Sequence, residues 1–153
     1  MKHHLRTAII GLFAFALGFA LARTTLVARA DAPALQPAAI DLTAITPDSM
    51  PTPGTTTPNL RSKTLVVTDG MTAAVQMGTV AKHYHANANE VQIILQGSGT
   101  EWLGDKQVTL KPGMMIVIPE NTNHAGFVAT GGPFEIVSFK TPPQAPSDVH
   151  FVP

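Results

Sequence analysis

From Leu60 onward the chain consists of short apolar runs separated by turn residues. The clearest runs are LVVT (65–68), AAVQMGTV (73–80), VQIILQG (91–97), QVTL (107–110), MMIVIP (114–119) and FEIVSF (134–139). Glycine, proline and aspartate lie between them, with turns predicted at 97–99 and 130–133 among others, and no segment has the periodicity of an amphipathic helix. This pattern predicts one all-β domain over residues 61–153, an antiparallel sandwich or barrel.

The first 30 residues have a different pattern of basic, apolar and small residues. A basic head is followed by an apolar run at 8–22 and a small-x-small site at 28–30. These features predict a secretory signal peptide, with Asp31 opening the mature chain. An uncleaved N-terminal anchor is the alternative, although 15 apolar residues are fewer than the ~20 that span a bilayer. Either reading predicts an exported protein, periplasmic, secreted or anchored facing the periplasm.

Residues 31–60 are rich in proline and contain the stretch TPGTTTP. Proline removes backbone donors, and the segment shows no apolar periodicity. It is predicted to be an extended linker or an arm lying on the domain, and a flexible spacer is the favoured interpretation.

Charge and cysteine content exclude several classes of function. The formal net charge is zero, but four of the ten basic residues lie in the first 30 positions, so the remainder carries a net charge of −4. No basic patch is available for phosphates, which argues against nucleic acid as a partner, and a membrane is expected only through an uncleaved N-terminus. There is no cysteine, which excludes disulfides, thiol nucleophiles and thiolate metal ligands.

The stretch KHYHANANE concentrates side chains that bind metals. Alternation along a strand puts His83 and His85 on one face, and the turn-prone ANAN sequence lets Glu90 return beside them. His124 follows the strand MMIVIP and is a fourth candidate. Imidazole nitrogen and carboxylate oxygen suit one divalent transition-metal ion, namely zinc, iron, manganese, nickel or copper.

In these residues the chain resembles the cupins, small antiparallel β-barrels of the jelly-roll type. The first cupin motif, G-x5-H-x-H-x(3,4)-E-x6-G, is matched by Gly78, His83, His85, Glu90 and Gly97, with one residue fewer after Gly78. The second, G-x5-P-x-G-x2-H-x3-N, is matched by Gly113, Pro119 and His124, whereas Asn121 and Val128 replace its second glycine and its asparagine. The resemblance implies a cupin barrel whose metal ligands are His83, His85, Glu90 and His124. Since asparagine tolerates the left-handed backbone conformation, Asn121 is expected to preserve the turn.

The resemblance leaves two main functions open. One is a metal-dependent enzyme acting on a small oxygen-donor molecule, possible reactions including dioxygenation of the quercetinase-like kind. The other is a non-catalytic module that binds a small molecule or a metal, and a cupin without metal is a third reading. Glu120 is the candidate general acid or base, its alternative being a solvated loop carboxylate. A homodimer is expected by resemblance only.

The remaining polar residues near the site carry weaker predictions. By alternation Gln92 and Gln96 should share the side of Glu90, where they would orient a ligand or lie at the barrel rim. His150 lies in a proline-rich tail and is predicted not to bind the metal. Phe151 and Val152 are predicted to anchor this tail along the sheet.

Overall fold

The computed structural model describes residues 34–153, which form an antiparallel β-fold with two short 3-10 helices. The all-β prediction is therefore confirmed. The signal peptide or anchor predicted for residues 1–30 lies outside the described residues. Within residues 34–153, no helix has the length and apolar character needed to cross a membrane.

Eight strands are joined in one antiparallel sheet. Their bounds are β1 Leu60–Val67, β2 Thr72–Gly78, β3 His83–Tyr84, β4 Asn89–Leu103, β5 Lys106–Leu110, β6 Met115–Ile118, β7 His124–Thr141 and β8 His150–Phe151. The 3-10 helices, Leu42–Ala44 and Pro47–Ser49, precede them.

Two long strands organise the sheet. β7 pairs with β2, β3 and β4, and β4 also pairs with β5 and β6. At their ends, Glu90 of β4 lies opposite Lys140 of β7, and His83 of β3 lies opposite His124 of β7. Pairing of β7 with both β3 and β4 thus brings distant parts of the sequence to one region of the sheet.

Hydrophobic side chains cover both faces of this sheet. The inner cluster contains the buried residues Ile94, Leu110, Ile116, Ile118, Phe127, Phe134 and Ile136. The neighbouring residue on β7, Val137, points to the opposite face and packs with Val75 in a second cluster. Each face of β7 therefore has its own apolar core.

The second cluster is closed by the proline-rich segment. Ile45 and Met50 are buried against Val75 and Val137, and Asp41 caps the first 3-10 helix by accepting from the Thr43 backbone N–H. The favoured prediction of a flexible spacer is therefore wrong for this stretch, which is an arm lying on the domain. A few spaced apolar side chains, including the partly buried Leu42, dock it, although they create no periodic pattern in the sequence.

A bulge in β4 changes which side chains point inward. The register with β7 shifts between Ile94 and Gln96, where β4 has one extra residue. Glu90, Gln92 and Ile94 are buried before the bulge, whereas Gly97 and Glu101 are buried after it. Gln96 is exposed, so the expectation that it shares the side of Glu90 is wrong.

The two glycine-rich turns predicted at 97–99 and 130–133 are parts of β4 and β7. At Gly97 the backbone has φ 83°, and an added Cβ would lie 2.4 Å from the carbonyl oxygen of Pro133. Glycine is needed there because two strands approach closely, not because the chain reverses.

Candidate metal centre

The three histidines reach the site from β7, from β3 and from the residue that follows β3. β3 has only two residues and lies between β7 and β8, with His83 paired to His124 on one side and Phe151 on the other. Alternation turns His83 and His85 inward, as predicted, while Tyr84 points away and stacks on His150 with the ring centroids 4.9 Å apart. The prediction that His150 is not a ligand agrees with this position.

The imidazoles of His83, His85 and His124 converge. One ring nitrogen from each lies within 4.8 Å of the others, and the three residues are between 1 and 5% exposed. Three imidazole nitrogens so close to one another in a buried place could hold a metal ion.

Hydrogen bonds at the Nδ1 atoms fix the orientation and the tautomer of the three imidazole rings. Nδ1 of His83 lies 2.8 Å from the carbonyl oxygen of Ala81, and Nδ1 of His124 lies 2.9 Å from that of Thr122. Nδ1 of His85 lies 2.6 Å from the carbonyl oxygen of Asp148. Because a carbonyl only accepts, each Nδ1 carries the proton. In the neutral rings each Nε2 then has a free lone pair, the form in which histidine binds a metal.

Glu90 adds a carboxylate to the same centre. Its Oε2 lies 3.1 Å from Nε2 of His85 and 3.3 Å from Nε2 of His124. Its Oε1 accepts hydrogen bonds from Gln92 Nε2 at 3.1 Å and from the Ser138 hydroxyl at 2.5 Å. Glu90 is therefore held rigidly beside two of the three imidazoles.

These contacts test whether a cation fits. With the protons on Nδ1, the contacts from Glu90 Oε2 to the two Nε2 atoms join pairs of acceptors, which repel unless a proton or a cation lies between them. Nε2 of His124 is buried and makes no hydrogen bond despite its 3.3 Å contact. A shared cation would satisfy all of these atoms, so the residues present fit a metal ion.

The pKa values of His83 and Glu90 also favour the forms of these side chains that bind a metal. Burial, together with the charge of His124, lowers the pKa of His83 to about 3. Burial acts to raise the pKa of Glu90, but the adjacent imidazoles of His124 and His85 and the charge of Lys140 hold it well below its usual range. At neutral pH the site therefore offers a neutral imidazole at His83 and an ionised carboxylate, the forms that a metal requires.

The tail after β7 orients His85. Asp148 is buried, and its carboxylate accepts from the backbone N–H groups of Ala86 at 2.8 Å and Asn87 at 3.1 Å, while its carbonyl oxygen holds Nδ1 of His85. Phe151 of β8 is 45% exposed, so it anchors the tail less than Asp148 does. This role of Asp148 could not be predicted from residue spacing, because 63 positions separate Asp148 from His85.

A cavity of about 360 Å³ adjoins the histidines. Phe127, Phe134 and Ile136 form an apolar wall, and Gln92, Glu101 and Lys140 add polar groups. Glu101 is 2% exposed, and burial raises its pKa to about 7. Sequence analysis missed this carboxyl, because strict alternation from Glu90 places residue 101 on the outer face and only the bulge turns it inward.

Glu120, the carboxylate predicted to act in catalysis, lies elsewhere. It is exposed and does not line the cavity; its backbone N–H donates to Asn89 Oδ1 at 3.1 Å. The neighbouring turn is as expected, since Asn121 has φ 61° and donates its N–H to the carbonyl oxygen of His85. The turn after β6 thus supports His85, while the carboxylate on it points to solvent.

Comparison with known proteins identifies the family and the fold. The model of the cupin domain family matches residues 62–140. A search of the curated proteins finds no match.

Solved structures match over most of their own length. KdgF from Halomonas sp. is 21% identical with a TM-score of 0.51, and the match covers 57% of this chain and 82% of that one. A variant of PAC13 from Streptomyces, solved with uridine, is 17% identical with a TM-score of 0.54, covering 71% of this chain and 88% of that one. The plu4264 protein from Photorhabdus luminescens is 18% identical with a TM-score of 0.51, covering 63% and 82%. At such identities the likeness shows the fold.

Proposed function

Because the chain belongs to the cupin family, we propose that it binds one divalent transition-metal ion and acts as an enzyme on a small oxygen-donor molecule. His83, His85 and His124 would hold the ion, with Glu90 as the fourth ligand. A bound ion would polarise a carbonyl or carboxylate oxygen, or lower the pKa of a water molecule. Dioxygenation of the quercetinase-like kind is one reaction that fits such a site.

One observation carries the metal proposal. Three buried Nε2 lone pairs face one another because each Nδ1 donates to a backbone carbonyl. A structural histidine would use both nitrogens in hydrogen bonds, whereas Nε2 of His124 has none. Burying such a lone pair beside a carboxylate is costly unless a cation compensates for it.

The surrounding residues support a role in chemistry beyond storage of the ion. The apolar wall of Phe127, Phe134 and Ile136 would exclude water from a bound molecule. Lys140 lies 3.7 Å from Glu90 Oε2 and donates to Gln144, which places a positive charge at the edge of the site. A module that only binds a metal or a small molecule does not require the buried carboxyl of Glu101. The presence of this titratable group in the cavity therefore favours the enzyme hypothesis.

Export is part of the proposal. The basic head, apolar run and small-residue site of residues 1–30 support transport out of the cytoplasm, where the metal-binding domain would meet zinc and copper. A homodimer is proposed from the resemblance to other cupins.

Metal analysis of the full chain, purified from the compartment where it accumulates, tests the proposal. We expect close to one transition-metal ion per chain and loss of the ion in His124→Ala. The matched control is His150→Ala, which alters a histidine outside the cluster. Its ring stacks on Tyr84 and its Nε2 lies 3.2 Å from Asp148 Oδ1, but Asp148 keeps its hydrogen bonds from Ala86 and Asn87, so the variant should retain the ion. Oxygen uptake or product formation on panels of flavonols and dicarboxylates would identify the enzyme. A protein that takes up no transition metal under any loading condition would refute the metal site, and a stoichiometric metal with no turnover would favour the binding module.

A further inference from the structure

Unpaired polar atoms are concentrated in the cavity beside the histidines. Among the described residues, three buried side-chain atoms make no hydrogen bond, namely Gln92 Oε1, Glu101 Oε1 and His124 Nε2. All three residues line this cavity. The metal proposed above accounts for His124, but the two oxygen atoms need other partners, since buried polar groups are nearly always satisfied.

The amide of Gln92 has a defined orientation. Its Nε2 donates to Glu90 Oε1 at 3.1 Å, so the nitrogen is committed to the carboxylate. Its Oε1 is then a fixed acceptor with no partner, and it requires an N–H or O–H donor.

Glu101 supplies the complementary group. It is buried after the β4 bulge, and no arginine or lysine is paired with it in the described residues, although the charges of His124 and Glu90 both act on it. A carboxyl without a cationic partner in an apolar environment prefers the protonated form, which can donate as well as accept. Burial raises the pKa of Glu101 to about 7, consistent with this environment.

We propose that Glu101 contacts the molecule bound beside the metal and exchanges a proton with it, while Gln92 Oε1 accepts a hydrogen bond from the same molecule. This inference rests on the proposed function and assigns the proton-carrying residue of that site. The protonated carboxyl gives its proton to an oxygen atom of the bound molecule and becomes a carboxylate, and the reverse transfer restores the acid. The preferred ligand class therefore carries a donor, such as a hydroxyl, and a basic oxygen at positions that Gln92 and Glu101 reach together.

A small chelating probe tests the contact directly. The full chain loaded with cobalt(II) is titrated with acetohydroxamate, which offers an oxygen chelate together with N–H or O–H donors, and binding is followed by the visible spectrum of the cobalt. Between about pH 5 and 9, the affinity of wild type should show a titration midpoint as Glu101 loses its proton, lower than in the metal-free protein because the cation favours the carboxylate. In Glu101→Gln we expect about tenfold weaker binding, a loss of about 1.4 kcal/mol, with no such midpoint and with unchanged cobalt content.

The other ionisable groups of the cavity are common to both proteins. They are Glu90 on β4, His83 and His85 at β3, and His124 and Lys140 on β7. The matched control is Glu135→Gln, because Glu135 is half-buried on β7 but lines a different cavity. This control should bind the probe as wild type does.

The outcomes separate the two proposals. If wild type takes up no cobalt, or its cobalt spectrum does not respond to the hydroxamate, the proposed open metal site fails and this inference with it. If wild type binds the probe and Glu101→Gln binds it equally well with the same pH profile, only the role of Glu101 is refuted. Loss of cobalt from Glu101→Gln would also overturn the inference, since it would make the carboxyl part of the metal site.

Discussion

Replacing Glu101 with glutamine is expected to change how the stability of the metal-free protein depends on pH. Burial raises the pKa of Glu101 from its ordinary value of 4.5 to about 7. The folded protein therefore keeps a proton that the unfolded chain has already lost, so this residue contributes stability that is complete below pH 4.5 and is lost as the pH rises to about 7. Glutamine has the same shape and does not titrate, which removes this loss.

The size of the effect follows from the two pKa values. The interval from 4.5 to about 7, at 1.36 kcal/mol per pH unit, corresponds to about 3 kcal/mol. Relative to wild type, the variant should thus gain about 3 kcal/mol in free energy of unfolding between acidic pH and pH 8. The amide itself adds a constant cost or gain, so the pH-dependent part is the quantity to compare.

Urea unfolding of chelator-treated protein at a series of pH values measures this difference. Other groups titrate in the same range: the pKa of His83 is lowered from 6.5 to about 3, so its contribution is lost as the pH falls below 6.5. That contribution is present in both proteins and cancels in the comparison. Parallel stability curves for wild type and Glu101→Gln would show that the carboxyl ionises freely, contrary to its burial in an apolar cavity.

Three further predictions concern the metal ligands, the tail and the arm. His85→Ala should lower the metal content by about tenfold or more while the far-ultraviolet circular dichroism stays that of the folded barrel, because a ligand contributes several kcal/mol to metal binding; retained metal would contradict its assignment. Asp148→Ala should weaken metal affinity by about 10- to 100-fold, as expected when a residue that orients a ligand is lost, and an unchanged affinity in a competition titration would contradict this role. Met50→Ala should lower the free energy of unfolding in urea by about 2–5 kcal/mol, because the side chain is 6% exposed. Leu35→Ala in the same segment alters a side chain that is 60% exposed and should lower it by less than about 0.5 kcal/mol. Equal losses would mean that the arm is not docked.

The sequence predicted the fold and the three histidines because both depend on local patterns. Alternation places His83 and His85 on one face whatever the rest of the chain does, and the strand before His124 ends at a recognisable turn. The prediction for Asn121 is also confirmed, because its backbone adopts the left-handed conformation expected at the glycine position of the motif.

The missed features depend on tertiary structure. Asp148 acts on His85 across 63 residues, and the arm is docked by a few separate apolar residues, Leu42, Ile45 and Met50. Neither feature produces a periodic pattern in the sequence. Glu101 was missed for a different reason, since alternation was applied through a position where the strand has an extra residue. The exposed Glu120 was preferred because its loop adjoins a motif, although proximity in sequence to His124 does not bring its side chain into the cavity.

The extra residue in β4 also separates two parts of the site that can change independently in evolution. Glu90 lies on β4 ahead of the bulge and the histidines lie outside β4, whereas Glu101 lies beyond the bulge. Deleting one residue between the bulge and Glu101, at Ser98 for example, would turn Glu101 outward and Thr100 and Trp102 inward while the four candidate ligands keep their places. A single-codon deletion or insertion there would exchange the lining of the cavity in one step, and this is a place where relatives with the same ligands can diverge in what they accept.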